Sequence, residues 1–205
     1  MKNVQTSTEV ANLALGVIGA YRITNLETDD QDYARTLRDN YGTAVRFVQS
    51  TYPWPELYKE MTLDSPSTIP TVDGGYYRFP LPADILTIRD IPGHVYVREG
   101  KDVTVAGIST AAWPIMEYTA ENNNPDQWST YLLECTYTRL AVQIAMSVAE
   151  SDAVYAMAEN RHIQALMNAN KAKSGGGSFV ARPSNHTWNG VRTGCGSSGK
   201  PRRRI

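Results

Sequence analysis

The sequence predicts a mainly α protein: a helical bundle with a small antiparallel β insertion and an extended C-terminal arm. Three observations lead to this prediction. Apolar residues recur with helical spacing before Pro53 and again after Pro125. Between these regions the apolar period changes to two, which is typical of strands. The last 33 residues, 173–205, contain seven Gly and too little apolar surface to fold alone.

Two helices are predicted before Pro53. Thr6 and Glu9 have the spacing of a capping box, and the first helix then runs to Gly19. A second helix of about 20 residues follows the acidic stretch 28–32 and ends before Pro53, which cannot continue it. We expect Trp54, between two prolines, to fill the core.

A β region is predicted from Tyr76 to Thr119. Its apolar residues alternate, and Val95 and Val97 are expected to face Val103 and Val105 across a turn at 99–102. The preceding stretch, 65–75, is rich in Pro, Ser, Thr and Gly and is therefore predicted to be a connector.

Helical spacing returns after Pro125 and continues to about Ala172, with a break or cap at Ser151-Asp152. Helices distant in sequence must then pack together, because their apolar faces need burial. The residues expected in this core are Leu13, Val17, Leu37, Val45, Leu140 and Ile144. A line of alanines indicates close packing against another helix, with packing inside the chain favoured over a contact between subunits: Ala141, Ala145, Ala149, Ala153 and Ala156.

These patterns divide the chain into four parts: N-terminal helices (1–64), β insertion (65–124), C-terminal helices (125–172) and basic arm (173–205). All 21 acidic residues lie between Glu9 and Glu159. Residues 1–172 carry 13 Lys and Arg against 21 Asp and Glu, a formal charge of −8, whereas the arm carries seven Lys and Arg and no carboxylate. The near-neutral total therefore hides an acidic body and a basic arm.

Several functional classes find no support. No apolar run approaches the roughly 20 residues that span a bilayer, and no signal peptide is apparent, so no membrane partner is expected. Two cysteines, Cys135 and Cys195, provide neither a disulfide framework nor metal-ligand spacing. The segment 194–200 imitates a phosphate-binding loop, but no strand pattern delivers it and no helix can follow it before the chain ends.

Catalytic candidates are also weak. The three histidines, His94, His162 and His186, have no nearby nucleophile or ligand pattern. Four carboxylates could in principle supply a hydrolase pair, although the sequence does not give their separation: Glu56, Glu60, Asp64 and Glu117. We therefore predict no enzyme activity, no catalytic residue, no metal and no cofactor.

The arm contains the predicted partner-binding residues. Its cations could contact an acidic protein surface, and its aromatic side chains suit apolar pockets on a protein partner. Binding of nucleic acid by the same cations and aromatics remains an alternative. The residues concerned are Phe179, Arg182, Trp188, Arg192, Lys200, Arg202, Arg203 and Arg204.

The order of elements resembles the head-to-tail adaptors, or tail tubular protein A family, of short-tailed bacteriophages, from about Val10 to Ala172. Three features carry the resemblance: a first helix rich in Ala and Leu that ends in Ile-Gly, a second helix ending at Pro53-Trp54, and the segment Leu-Pro-Ala-Asp-Ile-Leu before a β region. From Gly175 onward no family motif is apparent.

The resemblance implies a helical bundle with a β insertion, twelve copies of which form a ring between the portal protein and the tail nozzle protein. Such a ring is part of the virion, is assembled in the host cytoplasm and encloses the DNA channel. An acidic body suits that role, because anionic walls do not hold phosphates. Two alternatives stay open: a DNA-binding head-completion factor that uses the arm, and a virion-associated cell-wall hydrolase.

Overall fold

The protein is a mixed α/β structure. The computed structural model describes residues 6–67, 75–108 and 113–175. The elements of this part of the chain are α1 (Ser7–Ile18), α2 (Asp32–Thr51), β1 (Tyr58–Thr62), β2 (Tyr76–Pro80), β3 (Ile85–Asp90), β4 (Tyr96–Glu99), β5 (Asp102–Ala106), β6 (Ile115–Ala120), α3 (Thr130–Ala149) and α4 (Asp152–Gly175). Short 3-10 helices precede β1 and α3, at Pro55–Leu57 and Pro125–Gln127.

The prediction of a mainly α protein was wrong. The described part of the chain contains four helices and two three-stranded antiparallel sheets. Of the described residues, 51% are helical and 20% lie in strands. The β region is thus a second layered unit with its own core. The strand β1 lies inside the range 1–64, which we had assigned to the N-terminal helices.

Helix α3 is the centre of the helical part, because α1, α2 and α4 all pack against it. It is accordingly buried on most of its circumference. Its apolar side chains join those of the other three helices in one cluster that includes Leu15, Leu37, Leu140 and Ile144. The expectation that helices distant in sequence pack together is confirmed, with one exception. Leu13 is 37% exposed, and its expected place is taken by Ala11 and Ala14.

The predicted starts and ends of the first two helices are confirmed. The Thr6 side chain accepts a hydrogen bond from the Glu9 backbone, and the Glu9 carboxylate accepts one from the Thr6 backbone. Gly19 ends α1 with a φ of 74°. Helix α2 contains 20 residues, as expected. The buried Trp54 indole donates to the Val48 carbonyl oxygen at 2.9 Å, so this side chain does fill the core.

Two sheets pack face to face in the β lobe, which we define as residues 58–120. Sheet A has the strand order β1-β6-β3, and sheet B has the order β2-β5-β4. Residues from both sheets form a shared core, with Phe79 and Val103 from sheet B and Met116 from sheet A all buried. The predicted turn at 99–102 is confirmed, because Glu99 pairs directly with Asp102.

The register of this hairpin differs from the expected one. Val97 lies opposite Thr104, and Arg98 lies opposite Val103. Opposite residues in an antiparallel pair share a face. Val103 and Val105 therefore point into the core, whereas Val95 and Val97 lie on the outer face.

Sheet A joins the lobe to the helices. Arg46 of α2 pairs with Glu121, which follows β6, at 2.8 Å. Arg89 of β3 donates to the Trp54 carbonyl oxygen at 2.6 Å and to the Thr119 hydroxyl at 2.8 Å. These contacts place the lobe at the C-terminal end of α2.

Candidate subunit interface

Helix α4 packs against α3 through a narrow line of mostly small side chains. Its buried residues are separated alternately by four and three positions, the spacing at which one helix lies along another. Three of the four are alanines, which let the two backbones approach closely. They are Ala158, His162, Ala165 and Ala169.

The only buried polar side chain on this face of α4 among the described residues is His162. Its Nδ1 lies 3.0 Å from the Thr138 hydroxyl, which also donates to the Glu134 carbonyl oxygen at 2.7 Å. Burial, together with the positive charge of Arg139, lowers the pKa of His162 to about 4. A hydroxyl next to a neutral imidazole resembles a catalytic pair that the sequence did not suggest. Both side chains are buried between helices, however, where no substrate can reach them.

The opposite side of α4 carries large apolar residues in contact with solvent. Met157, Ile163 and Met167 are each between 42% and 50% exposed, and Ala156 is also exposed. At 100° per residue these four side chains lie within about 120° of one another, facing away from α3. We call them the outer stripe. Large side chains thus point outward on α4 while alanines point inward.

The predicted alanine line is divided between these two environments. Ala141 and Ala145 are buried within α3, in agreement with packing inside the chain. Ala153 and Ala156 are exposed on α4. The second pair is therefore not buried by the described part of the chain and leaves room beside the outer stripe.

Other large apolar side chains are exposed elsewhere on the helical part. They belong to α2 and α3 and are Phe47, Tyr131 and Met146. The Arg139 guanidinium lies 4.1 Å from the centre of the Phe47 ring, so one face of that ring is covered by a cation. The outer stripe has no such cover in the described part of the chain.

Two of the four carboxylates considered for hydrolysis lie on the outer face of sheet A. Glu60 and Glu117 are direct neighbours across β1 and β6. The Tyr58 hydroxyl donates to Glu60, and this hydrogen bond raises the pKa of Tyr58 to about 12. Glu56 instead accepts from the Ser129 backbone, and Asp64 accepts from Ser65. Two neighbouring carboxylates on an outer sheet face lack the enclosing cleft that glycoside hydrolysis needs.

Neither a metal centre nor a membrane span is found in the part of the chain that the structure describes. No three His, Cys, Asp or Glu side chains there are placed to hold a metal ion. None of the helices there is both long and apolar enough to cross a bilayer.

The partner-binding residues predicted in the arm lie outside the described residues. This applies to the two aromatic residues and to the six cations. The segment 194–200, which resembles a phosphate-binding loop, also lies outside the described residues. The outer stripe was not predicted as an interface, although the sequence does show its large apolar residues close to alanines of the same helix.

No protein-family model matches the chain, and no curated protein matches it in sequence. The resemblance to head-to-tail adaptors therefore remains an expectation that rests on the three sequence features that carry it.

Proposed function

We propose that the protein is a structural ring subunit, a head-to-tail adaptor that joins a phage portal to the tail nozzle and surrounds the DNA channel. The observation that carries this proposal is the outer stripe of α4. Large apolar residues exposed along a helix that is already anchored on its other side are typical of a contact with another protein. In a ring of identical subunits, a neighbouring copy would cover this stripe.

The distribution of charge supports the same proposal. Residues 1–172 carry a formal charge of −8, so the wall of a channel built from them would repel DNA and let it pass. The basic arm would contact the portal protein, with Arg182, Arg192, Lys200 and Arg202–Arg204 next to acidic groups and Phe179 and Trp188 in apolar pockets.

The corrected fold affects how the ring would be arranged. The β lobe is a two-layered unit that extends from the C-terminal end of α2, and sheet A ties it to the helices through Arg46 and Arg89. A lobe attached in this way can reach the tail while the helices contact neighbouring copies. The number of copies, twelve, comes from the resemblance alone.

The test is to measure the mass of the purified chain by light scattering, alone and after mixing with portal rings of a short-tailed phage. The full chain is compared with a version that ends at Lys173. We expect the full chain to add mass to the portal in steps approaching twelve copies, and we expect the shortened chain to lose most of this binding.

Two other outcomes would overturn parts of this proposal. If the shortened chain bound the portal equally well, the arm would have no role in portal binding. If neither version bound the portal but the full chain bound DNA at low salt and released it as salt increased, the DNA-binding alternative would replace the adaptor.

A further inference from the structure

The side of α1 that points to solvent carries little charge and contains a glycine. Leu13 is 37% exposed, and Gly16 is exposed one turn later. At 100° per residue, these two residues and Glu9 lie within about 60° of one another. Glu9 is the only charged residue between Ser7 and Ile18, and its carboxylate is held in the capping box. We call Glu9, Leu13 and Gly16 the α1 face.

Packing inside the chain does not explain Gly16. A methyl group added at this position would meet no atom of the described residues within 4 Å, apart from its own stretch of helix. Its φ is not positive, so alanine would fit there and would stabilise the helix. What glycine offers instead is a surface that another backbone can approach closely.

A second exposed glycine shows that this feature alone does not identify a contact. Gly42 of α2 also has open space around it. Its neighbours on the helix surface are Arg35, Asp39 and Arg46, three and seven positions before it and four after it, so it lies on a charged face. The α1 face differs because its glycine lies beside an exposed leucine.

The outer stripe of α4 complements the α1 face. It presents large apolar side chains, including Ile163 and Met167, to a face that lacks a side chain at one position. The exposed Lys171 follows Met167 by four positions and lies within the same arc of the helix. The other charged side chains described on α4 lie outside this arc: Asp152, Glu159 and Arg161.

We infer that the outer stripe of one copy binds the α1 face of a second copy, with the two helices antiparallel. In this arrangement Glu9 lies beside Lys171, so opposite charges meet at one edge of the contact. Leu13 lies against Met167, so two partly exposed apolar side chains are covered together. A parallel arrangement would place Glu9 near the other end of the stripe, away from Lys171.

The next turn brings Ile163 onto Gly16. The α1 residues follow one another by four and three positions and the α4 residues by four and four, so the two rows differ by one residue, about 1.5 Å. The missing side chain at Gly16 leaves room for Ile163 between the two backbones. This contact explains a glycine where alanine would make the free chain more stable.

The two surfaces do not cover each other within one chain. Leu13 and the outer stripe are exposed to solvent in the single chain, and both helices pack on α3 through their other sides. The inference rests on the proposed ring and names the surface that covers the outer stripe. Contacts between two different surfaces form a closed ring when the rotation between copies divides a full turn.

The test measures folding and association of the same variants. Gly16→Gln places a long polar side chain on the α1 face. We expect its melting temperature to stay equal or to rise, because glutamine is the better helix former. We expect association between copies, measured by sedimentation velocity, to weaken at least tenfold. Gly42→Gln is the matched control, since it makes the same change in a helix and should leave association unchanged.

A mixing experiment tests which surfaces meet. Gly16→Gln has a blocked α1 face, Ile163→Glu has a blocked outer stripe, and each variant carries its own tag. At a concentration where both variants are single chains, their equimolar mixture should form pairs that contain both tags, through the one contact that is intact. A mixture that stays as single chains would overturn the inference.

The same measurements separate this inference from the proposed function. If Ile163→Glu weakens association and Gly16→Gln does not, the α1 face is the wrong partner surface, and the ring interface at the outer stripe remains supported. If the unchanged chain does not associate, alone or with portal rings, both proposals are wrong.

Discussion

The Gln49 side chain forms two hydrogen bonds with the backbone of Asn122, as a neighbouring strand would. Its Nε2 donates to the Asn122 carbonyl oxygen at 2.7 Å, and its Oε1 accepts from the Asn122 N–H at 3.1 Å. Gln49 is completely buried. The Trp128 indole donates to the same carbonyl oxygen at 2.9 Å. These bonds hold the end of α2 against the segment that leads from sheet A to α3, so they connect the two units of the fold.

Replacing Gln49 with Ala should lower the free energy of unfolding by about 2 to 4 kcal/mol. The substitution leaves the Asn122 N–H buried without a partner and also creates a cavity. Urea unfolding followed by circular dichroism measures this change. Ser50→Ala, at the next and exposed position of α2, should change the free energy by less than about 0.5 kcal/mol. Equal effects of the two substitutions would contradict the structural role of Gln49.

His162 should make the protein less stable as the pH falls from about 6.5 to 4. In the unfolded chain this imidazole binds a proton near its ordinary pKa of about 6.5, whereas in the folded protein burial lowers its pKa to about 4. Protonation therefore favours the unfolded chain throughout this range. The full loss is about 3 kcal/mol, since one pKa unit corresponds to about 1.4 kcal/mol.

His162→Gln provides the comparison for this pH dependence. Glutamine can still bond to Thr138 but does not titrate. The variant should start with a lower stability at pH 7 and should lose about 3 kcal/mol less between pH 6.5 and pH 4. Parallel stability curves for the two proteins would show that His162 does not contribute.

Arg89→Lys should lower the melting temperature by about 3 to 8 °C. The guanidinium bonds to Trp54 and Thr119 and lies 5.3 Å from the centre of the Tyr58 ring. A lysine ammonium cannot reproduce both hydrogen bonds in the same geometry, and the expected cost is about 1.5 to 2 kcal/mol. Arg35→Lys, at an exposed position of α2, is the control and should shift the melting temperature by less than about 2 °C.

Ile163→Glu should weaken association between copies at least about tenfold without unfolding the chain. Ile163 is 42% exposed, so its replacement costs little stability, but a carboxylate in the outer stripe would be desolvated in an interface. Sedimentation velocity over a range of concentrations measures the effect. Thr43→Glu adds the same charge at an exposed position of α2 and should leave association unchanged. An unchanged association constant for the Ile163 variant would remove the main support for the interface.

Cys135 should remain unmodified by thiol reagents at pH 8 in the folded protein. Its side chain is buried in α3, and burial raises its pKa to about 12, so almost no thiolate forms. In a chain with Cys195→Ser, Ellman's reagent should detect less than a tenth of one thiol before denaturation and one thiol afterwards. Rapid labelling of the folded chain would show that α3 is more open than the structure indicates.

The ends of the helices were predictable because local contacts determine them. The hydroxyl of Thr6, the carboxylate of Glu9 and the positive φ of Gly19 act within one helical turn. Pro53 likewise ends α2 through its own ring and its missing N–H. The break between α3 and α4 was also expected, and it occurs at Glu150, whose φ is 47°.

The extent of the β part could not be predicted in the same way. Strand β1 contains Lys59 and Glu60, so it has no alternating apolar pattern. It becomes a strand because Tyr58 pairs with Thr119, a residue far along the chain. An edge strand can have polar residues on its exposed side. Its hydrogen bonds depend on a partner strand that the local sequence does not identify.

The direction in which α4 faces could not be predicted for a related reason. Met157, Ile163 and Met167 continue the helical spacing, but the buried line is Ala158, His162, Ala165 and Ala169. Both lines have helical spacing, so the period alone does not distinguish them. Close packing against α3 requires small side chains, and this requirement places the large ones outside.

Local residue patterns were therefore sufficient for the helix ends, the turn at 99–102 and the separation of acidic body from basic arm. The tertiary structure decided the fold class, the stacking of the two sheets and the direction in which α4 faces. The physical reason is range: caps, turns and net charge depend on neighbours along the chain, whereas burial and strand pairing depend on residues that only folding brings together.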